Sequence, residues 1–397
     1  MTSTLRDCDV AIVGGGPAGI ATALFAVEAD ASLRDRLVVL EKARYPREKI
    51  CAGAIGGRAD RLLATIGVTV DVPSAPVSGL SIRASGGALL ERLDRPIGRV
   101  VRRIEFDHAL AEVARARGIR VVEDARVTGL SVDAKGVRLE TSQGALAARA
   151  VVGADGVGSY VRRAIGAPRG RLSAQVVEVD TDPVASDQKR DLLHFDVADR
   201  SLVGYAWDFP TIVGGEELVC RGVYELAWEE SESPADGPDV AARLAQRLDA
   251  IGVRPRGRVK RFAERGLSLG EPVAYERVLL VGEAAGIDPV LGEGIAQAIQ
   301  YGATAGGYLA TALARGDLLF RDWRSTLMAS RVGWDLSVRS RAVRLFYGSS
   351  RPVAERWVTT SRNLAVSGMR YFAGEHVPRG KIVAAAADLA RCAVTAR

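Results

Sequence analysis

Residues 9–19 read Asp9-Val10-Ala11-Ile12-Val13-Gly14-Gly15-Gly16-Pro17-Ala18-Gly19, an apolar run that breaks at glycines and resumes as a helix-forming stretch. The run Asp9–Val13 fits a buried strand, and the stretch from Pro17 to about Glu28 fits a helix with proline in its first turn. Between them Gly14, Gly16 and Gly19 keep the spacing G-x-G-x-x-G. Missing Cβ atoms there let backbone N–H groups approach a pyrophosphate at a positive helix end. A second strand, Leu37–Leu40, ends at Glu41, 22 residues beyond Gly19. A carboxylate in that place accepts hydrogen bonds from adenosine ribose hydroxyls and repels a 2′-phosphate. The segment therefore predicts a β-α-β unit that holds FAD or NAD in preference to NADP.

Working outward, 397 residues suggest two lobes of roughly 100–200 residues each. A composition of 48% hydrophobic and 26% charged residues is globular and argues against disorder. The cysteines Cys8, Cys51, Cys220 and Cys392 lie far apart without a C-x-x-C pair, so no zinc or iron–sulfur spacing is present and a reducing cytoplasm fits. With only His108, His194 and His376, no metal or triad constellation is evident. The first strand begins within a few residues of Met1, which leaves no room for a secretory leader. No apolar run approaches the ~20 residues of a membrane span, and the alanine-rich tail is interrupted by Asp388 and Arg391. The net charge of +6 is uneven: residues 318–397 hold 13 arginines and one lysine against five acids. Such a segment can attract a membrane surface or an acidic partner, or it can be a set of solvated helix faces. No nucleic-acid-binding motif accompanies it.

Further along, short β-like runs separated by glycines occupy Val77–Leu93, and Phe106–Gly118 reads as an amphipathic helix. Strands are expected again from Leu172 to about Val223, and helices at Val240–Ile251 and Glu293–Ala314. Three more glycine-bearing segments stand out. Gly153-Ala154-Asp155-Gly156-Val157-Gly158-Ser159 follows an apolar strand. Gly282-Glu283-Ala284-Ala285-Gly286 follows another. Asp288-Pro289-Val290-Leu291-Gly292-Glu293-Gly294-Ile295 opens a long helix, whose positive end suits a negatively charged reduced flavin. Tyr205, Trp207 and Phe209 alternate at period two, so on a strand they share one face. Core packing explains such a wall about as well as a ligand does.

Together with Tyr45-Pro46-Arg47-Glu48-Lys49-Ile50-Cys51-Ala52-Gly53, Arg103 with Phe106-Asp107, and Gly204-Tyr205-Ala206-Trp207-Asp208-Phe209-Pro210, these segments resemble the geranylgeranyl reductase family of FAD-dependent oxidoreductases, within the para-hydroxybenzoate hydroxylase-like class. The resemblance runs from residue 9 to about 310, and the last ~80 residues carry no recognisable motif. Two departures stand out: Glu283 occupies a position where that class has aspartate, and Ala52 one where it has glycine. The implied fold is α/β. A discontinuous FAD-binding domain (1–75, 100–170 and 271–318) carries an inserted, mainly antiparallel substrate domain (76–99 and 171–270) and a C-terminal helical segment (319–397).

The resemblance further implies cofactor contacts from Gly14, Gly16, Ala18, Gly19, Glu41, Cys51, Ala52, Arg103, the backbone near Val127, Asp155, Gly282, Glu283, Gly292, Gly294 and Ile295. It places Tyr205, Trp207 and Phe209 against an apolar polyprenyl or aromatic substrate. His194 and Asp208 are the nearest ionisable candidates for proton delivery, with Cys51 a third catalytic candidate. The expected chemistry is hydride transfer from reduced FAD to an unsaturated carbon, with NAD(P)H or a ferredoxin-like protein as transient donor. A monooxygenase is the alternative enzyme, and a non-catalytic flavin-binding docking protein the distant one. A halogenase needs an early active-site lysine, and none lies between Lys49 and Lys135.

The purified protein is predicted to be yellow, with about one non-covalent FAD per chain in the glycine site. Gly16→Val should abolish retention, because a branched side chain would stand where the pyrophosphate approaches. Flavin absorbance after gel filtration checks both statements, and normal retention by the variant would show the loop to be misassigned.

Overall fold

The computed structural model describes residues 6–228 and 239–395. Residues 1–5, 229–238 and 396–397, which fall within the expected leader-free start and the expected lobes, lie outside the described residues. The fold is mixed α/β, and its first layer is a sheet in the order Ala274–Tyr275, Val278–Leu280, Gly144–Gly153, Cys8–Val13, Leu37–Leu40, Arg120–Val122. Its inner strands run parallel. Parallel strands are covered on both faces and so read as continuous apolar runs: Val10–Val13, Leu37–Leu40, Ala150–Val152 and Val278–Leu280 are all buried. The hairpin Val127–Val132 and Val137–Thr141 extends from the outer half of Gly144–Gly153.

Helix Pro17–Ala29 packs along helix Ile295–Arg315 on a seam of small residues. A Cβ at Gly302 would stand 2.5 Å from Ala21 Cβ, and one at Gly306 2.5 Å from the Ala26 nitrogen. Two backbones meet there with no room for a side chain. The chain thus leaves the dinucleotide unit and returns near residue 295 to lay its long helix against the first one.

The second layer is a seven-stranded, mainly antiparallel sheet: Pro255–Arg265, Leu172–Thr181, Glu216–Trp228, Gly204–Val213, Leu192–Asp196, Gly79–Ala84, Gly87–Arg92. Only Leu192–Asp196 and Gly79–Ala84 pair parallel. One face carries Val176, Leu193, Tyr205, Trp207, Phe209 and Tyr224 toward the C-terminal helices. The other carries Val177, Val179, Ala206 and Val223 under helix Val240–Ile251. A small sheet of Ala54–Gly56, Gly98–Val101 and Ser74–Val77 bridges the layers. The strand Pro255–Arg265 lies within the expected substrate domain but was not foreseen as a strand, since Arg256, Arg258, Lys260 and Arg261 leave it no apolar alternation. It is an edge strand, where charges are tolerated and discourage further pairing. The final segment forms helices from Trp323 to Thr395, as the expected C-terminal helical segment, with breaks at Gly348 and Gly374.

The seam yields a paired test by thermal denaturation. Gly306→Val should destabilise by about 1–3 kcal/mol through overpacking. Gly307→Ala, one residue on but facing open space, should stabilise by up to about 1 kcal/mol, since alanine is the better helix former.

Candidate active site

The three glycines of the first turn have three separable geometries. Gly14 has φ +109, and a Cβ there would meet Ala154 O at 2.4 Å. At Gly19 it would meet Gly14 O at 1.9 Å, whereas at Gly16 the nearest atom is Arg47 Nη2, 3.8 Å away. Turn, close helix packing and an open cradle are the uses such glycines have before a pyrophosphate. Glu41 is buried; its Oε2 accepts from Gly15 N–H at 3.0 Å and its Oε1 from Ala43 N–H at 3.1 Å. Arg47 Nε lies 3.2 Å from Glu41 Oε2, and Arg47 Nη2 lies 3.1 Å from Asp107 Oδ2. Asp107 also accepts two hydrogen bonds from Arg103, at 2.6 and 2.8 Å. Two carboxylates and two guanidinium groups therefore form a partly enclosed network beside the glycine turn. Tyr45 covers it, its hydroxyl donating to Gly15 O. Val127 opens its strand nearby: Ala125 N–H, two residues earlier, donates to Glu41 O at 2.9 Å.

The second glycine segment is held by its own aspartate. Asp155 accepts from Tyr160 N–H at 2.6 Å, Val161 N–H at 3.1 Å and the Ser159 hydroxyl. Both its oxygens are thus engaged in starting helix Tyr160–Ala164. Arg162 joins the loop to the third segment, donating to Ala284 O at 3.1 Å and Glu271 Oε2 at 2.6 Å. There Gly282, at φ +57, would place a Cβ 2.7 Å from that of Ala18. The extra methylene of Glu283 carries its carboxylate to within 3.9 Å of Lys49 Nζ.

Between the two layers lies a cavity of about 220 Å³. Tyr205, Trp207 and Phe209 form one wall, Cys51, Ala52 and Gly53 another, and Gly292, Gly294 and Ile295 the floor. Gly294 begins helix Ile295–Arg315 without a side-chain cap, so the first N–H groups of a 21-residue helix are left without side-chain partners at the floor. Tyrosine hydroxyls fix this loop: Tyr205 donates to Leu291 O at 2.5 Å, Tyr224 to Pro289 O at 3.0 Å and Tyr347 to Val290 O at 2.5 Å. Beneath it Arg339 pairs with Asp288, Glu293 and Asp335, and Arg58 Nη2 lies 2.7 Å from Glu293 Oε1. Cys51 N–H donates to Glu178 Oε1 at 3.2 Å. Burial raises the Cys51 thiol above its ordinary value and the Glu178 carboxyl to about 7. The positive φ of this loop falls on Gly53, where a Cβ would lie 2.0 Å from Val101 O. Ala52 needs no such conformation, and its departure from glycine is accommodated.

His194 and Asp208 are corrected by the geometry. They pair across neighbouring strands and, by the same alternation that gathers the aromatic wall, project from the opposite face of the sheet. Asp208 Oδ1 is 2.9 Å from Arg221 Nη1, and its Oδ2 is 2.5 Å from Arg247 Nη2 on helix Val240–Ile251. Neither residue lines the cavity. Burial lowers the His194 imidazole below its ordinary value.

Sequence reasoning missed Glu264, Arg339 and the C-terminal lining residues Met369, Tyr371 and Phe372. For Glu264 a signal existed: Phe262 and Glu264 sit two apart, so on a strand they share a face. For the C-terminal residues there was none, because their contacts with the cavity depend on long-range packing.

The site fits FAD, with an open phosphate cradle at Gly16, a carboxylate at the strand end and an uncapped helix end below an apolar cavity. Known proteins agree. The FAD binding domain family matches residues 7–319. A menaquinone reductase of Mycobacterium tuberculosis is 30% identical over 387 residues, covering 91% of this chain and 90% of that one. A digeranylgeranylglycerophospholipid reductase of Methanothrix thermoacetophila is 29% identical, covering 78% and 79%. The crystal structure of a geranylgeranyl bacteriochlorophyll reductase-like protein of Thermoplasma acidophilum shares the fold with a TM-score of 0.68 at 19% identity, covering 96% of each chain. The matched family and the 30% identical relative show that this chain belongs to the FAD binding domain family, as an FAD-dependent oxidoreductase related to the geranylgeranyl reductases.

Proposed function

We propose that this chain reduces carbon–carbon double bonds in a polyprenyl lipid, with hydride supplied by its reduced FAD. The observation that carries the reading is the concave, largely apolar cavity, lined by aromatic and aliphatic side chains and floored by the Gly292–Ile295 helix end. An apolar cavity of this kind accepts a flat, unsaturated hydrocarbon. Relatives named as reductases of menaquinone and of digeranylgeranylglycerophospholipid support it.

In this reading Gly14, Gly16, Ala18 and Gly19 receive the pyrophosphate and Glu41 the ribose. Arg103, Asp155, Gly282 and Glu283 border the path between, and Gly292, Gly294 and Ile295 face the flavin ring. NAD(P)H or another diffusible reductant visits from outside. Anaerobic incubation of the reduced protein with a geranylgeranyl lipid, followed by mass spectrometry, should show a gain of H2 per reduced bond. Oxygen incorporation on admitting air would overturn the reading in favour of a monooxygenase.

Trp207 is the sharpest probe of the wall. Its ring lies over Gly222, where a Cβ would stand 2.1 Å from Trp207 Cζ2, so the indole has one seat. Trp207→Ala should weaken substrate binding by about 2 kcal/mol or more while FAD occupancy stays near the wild-type level. A purely core tryptophan would instead lose about 3–5 kcal/mol of stability, and melting temperature, flavin content and turnover would fall together.

No helix among the described residues is long and apolar enough to cross a membrane. We propose that helix Arg379–Thr395 rests on an anionic lipid surface, because Ile382 (53% exposed) and Val383 (68% exposed) project beside Arg379 and Lys381. Apolar residues flanked by basic ones bind such surfaces in a salt-dependent way. The protein should sediment with phosphatidylglycerol vesicles at low salt, and Ile382→Glu with Val383→Glu should release it. Failure of the wild type to sediment would overturn the assignment.

A further inference from the structure

Glu264 is a carboxylic acid placed in an apolar cavity without a partner. It lies on the strand Pro255–Arg265, two residues from Phe262, and both line the cavity. Its Oε2 is buried and makes no hydrogen bond. The other acid lining the cavity, Glu293, is ion-paired to Arg58 and Arg339. Oε2 lies 2.6 Å from where a Cβ on Gly292 would stand, and Tyr224 Cε2 lies 3.2 Å from the same point. The carboxyl therefore sits where the aromatic wall meets the glycine floor. An ionised carboxylate there would leave Oε2 without a hydrogen-bond donor among aromatic rings and glycine backbone, so the neutral acid is favoured.

Resting on the double-bond reduction proposed above, we propose that Glu264 is the acid that protonates the substrate carbon neighbouring the one that receives hydride. FAD held at the Gly292–Ile295 helix end would, when reduced, supply a hydride to the first carbon. The π pair forms the second C–H bond with the proton of Glu264, which is left as carboxylate and regains a proton from water once product leaves. Hydride plus proton completes the saturated bond without another reactant.

The surroundings fit that cycle. Burial raises the Glu264 carboxyl well above its ordinary value, with Glu283, Asp288 and Glu178 acting in the same direction and Lys49 opposing them. The other ionisable groups lining the cavity include the Tyr205, Tyr224 and Tyr371 phenols and the Cys51 thiol, all raised chiefly by burial. Glu293 and Arg339 are held in the ion pairs beneath the loop. Lys49 offers a cation that makes the transient carboxylate tolerable.

Glu264→Gln keeps the shape and removes the proton. It should retain FAD and lower turnover on the order of 100-fold or more, the usual contribution of a positioned acid. Wild-type turnover should fall as pH rises through the raised Glu264 value, and the variant should lack that limb. A second readout needs no turnover. The folded state binds this proton more tightly than the unfolded chain, so wild-type stability declines as pH rises above the ordinary carboxylate range. The variant should therefore melt higher than wild type at alkaline pH. Equal turnover and an unchanged pH profile in the variant would overturn the assignment. So would loss of FAD or of melting temperature at neutral pH, or a larger effect from Cys51→Ala, which would make the thiol the donor. A wild type inert toward polyprenyl lipids would instead overturn the functional reading on which the assignment rests.

Discussion

Arg339 lies among three carboxylates, those of Asp288, Glu293 and Asp335, and Arg58 completes the group from another helix. Buried charges are tolerated only when paired, and removing one member strands the others at a cost of about 3–5 kcal/mol. The group therefore acts as a registration device. It sets the Asp288–Gly294 loop against helix Arg331–Tyr347 and helix Gly57–Ala64 together. Gln297 extends it, donating to Asp335 Oδ2 at 3.2 Å and accepting from Asp288 N–H at 2.9 Å. The cavity floor is held from below by charge and from the side by tyrosine hydroxyls.

Two kinds of carboxylate meet at this site, and environment alone separates them. Glu41, Asp107, Asp288 and Glu293 face guanidinium groups or backbone N–H groups and tie segments of the fold together. Glu264 faces aromatic rings and glycine backbone. The difference lies in which strand edge or loop each occupies, not in residue type.

Much of the dinucleotide unit was legible in the sequence because its constraints are local. A glycine turn, an apolar parallel strand and an acid at a strand end each leave a mark within a few residues, and Gly14, Gly19 and Glu41 have the geometry that mark implies. The aromatic wall was legible for the same reason. The error at Asp208 came from not carrying alternation through: if 205, 207 and 209 face one side, 208 faces the other. Glu264 was hidden by its basic neighbours along the strand, Arg256, Arg258, Lys260 and Arg261, none of which lines the cavity. The C-terminal lining could not be read at all, since Phe372 reaches the site by packing on Gly56 and Gly98, more than 250 residues earlier in the chain.

Phe372 rests on glycines. A Cβ at Gly56 would lie 2.9 Å from its Cδ2, and one at Gly98 2.7 Å from its Cε1. The cap that closes the cavity thus meets the body of the protein on bare backbone, a surface that demands flatness and little side-chain identity. Such a joint is permissive to drift. Descendants of one ancestor could trade cap residues freely, reshaping the chamber for chains of different girth, while the cofactor half stayed as it was. The same seam marks where a chimera between distant relatives would best be cut.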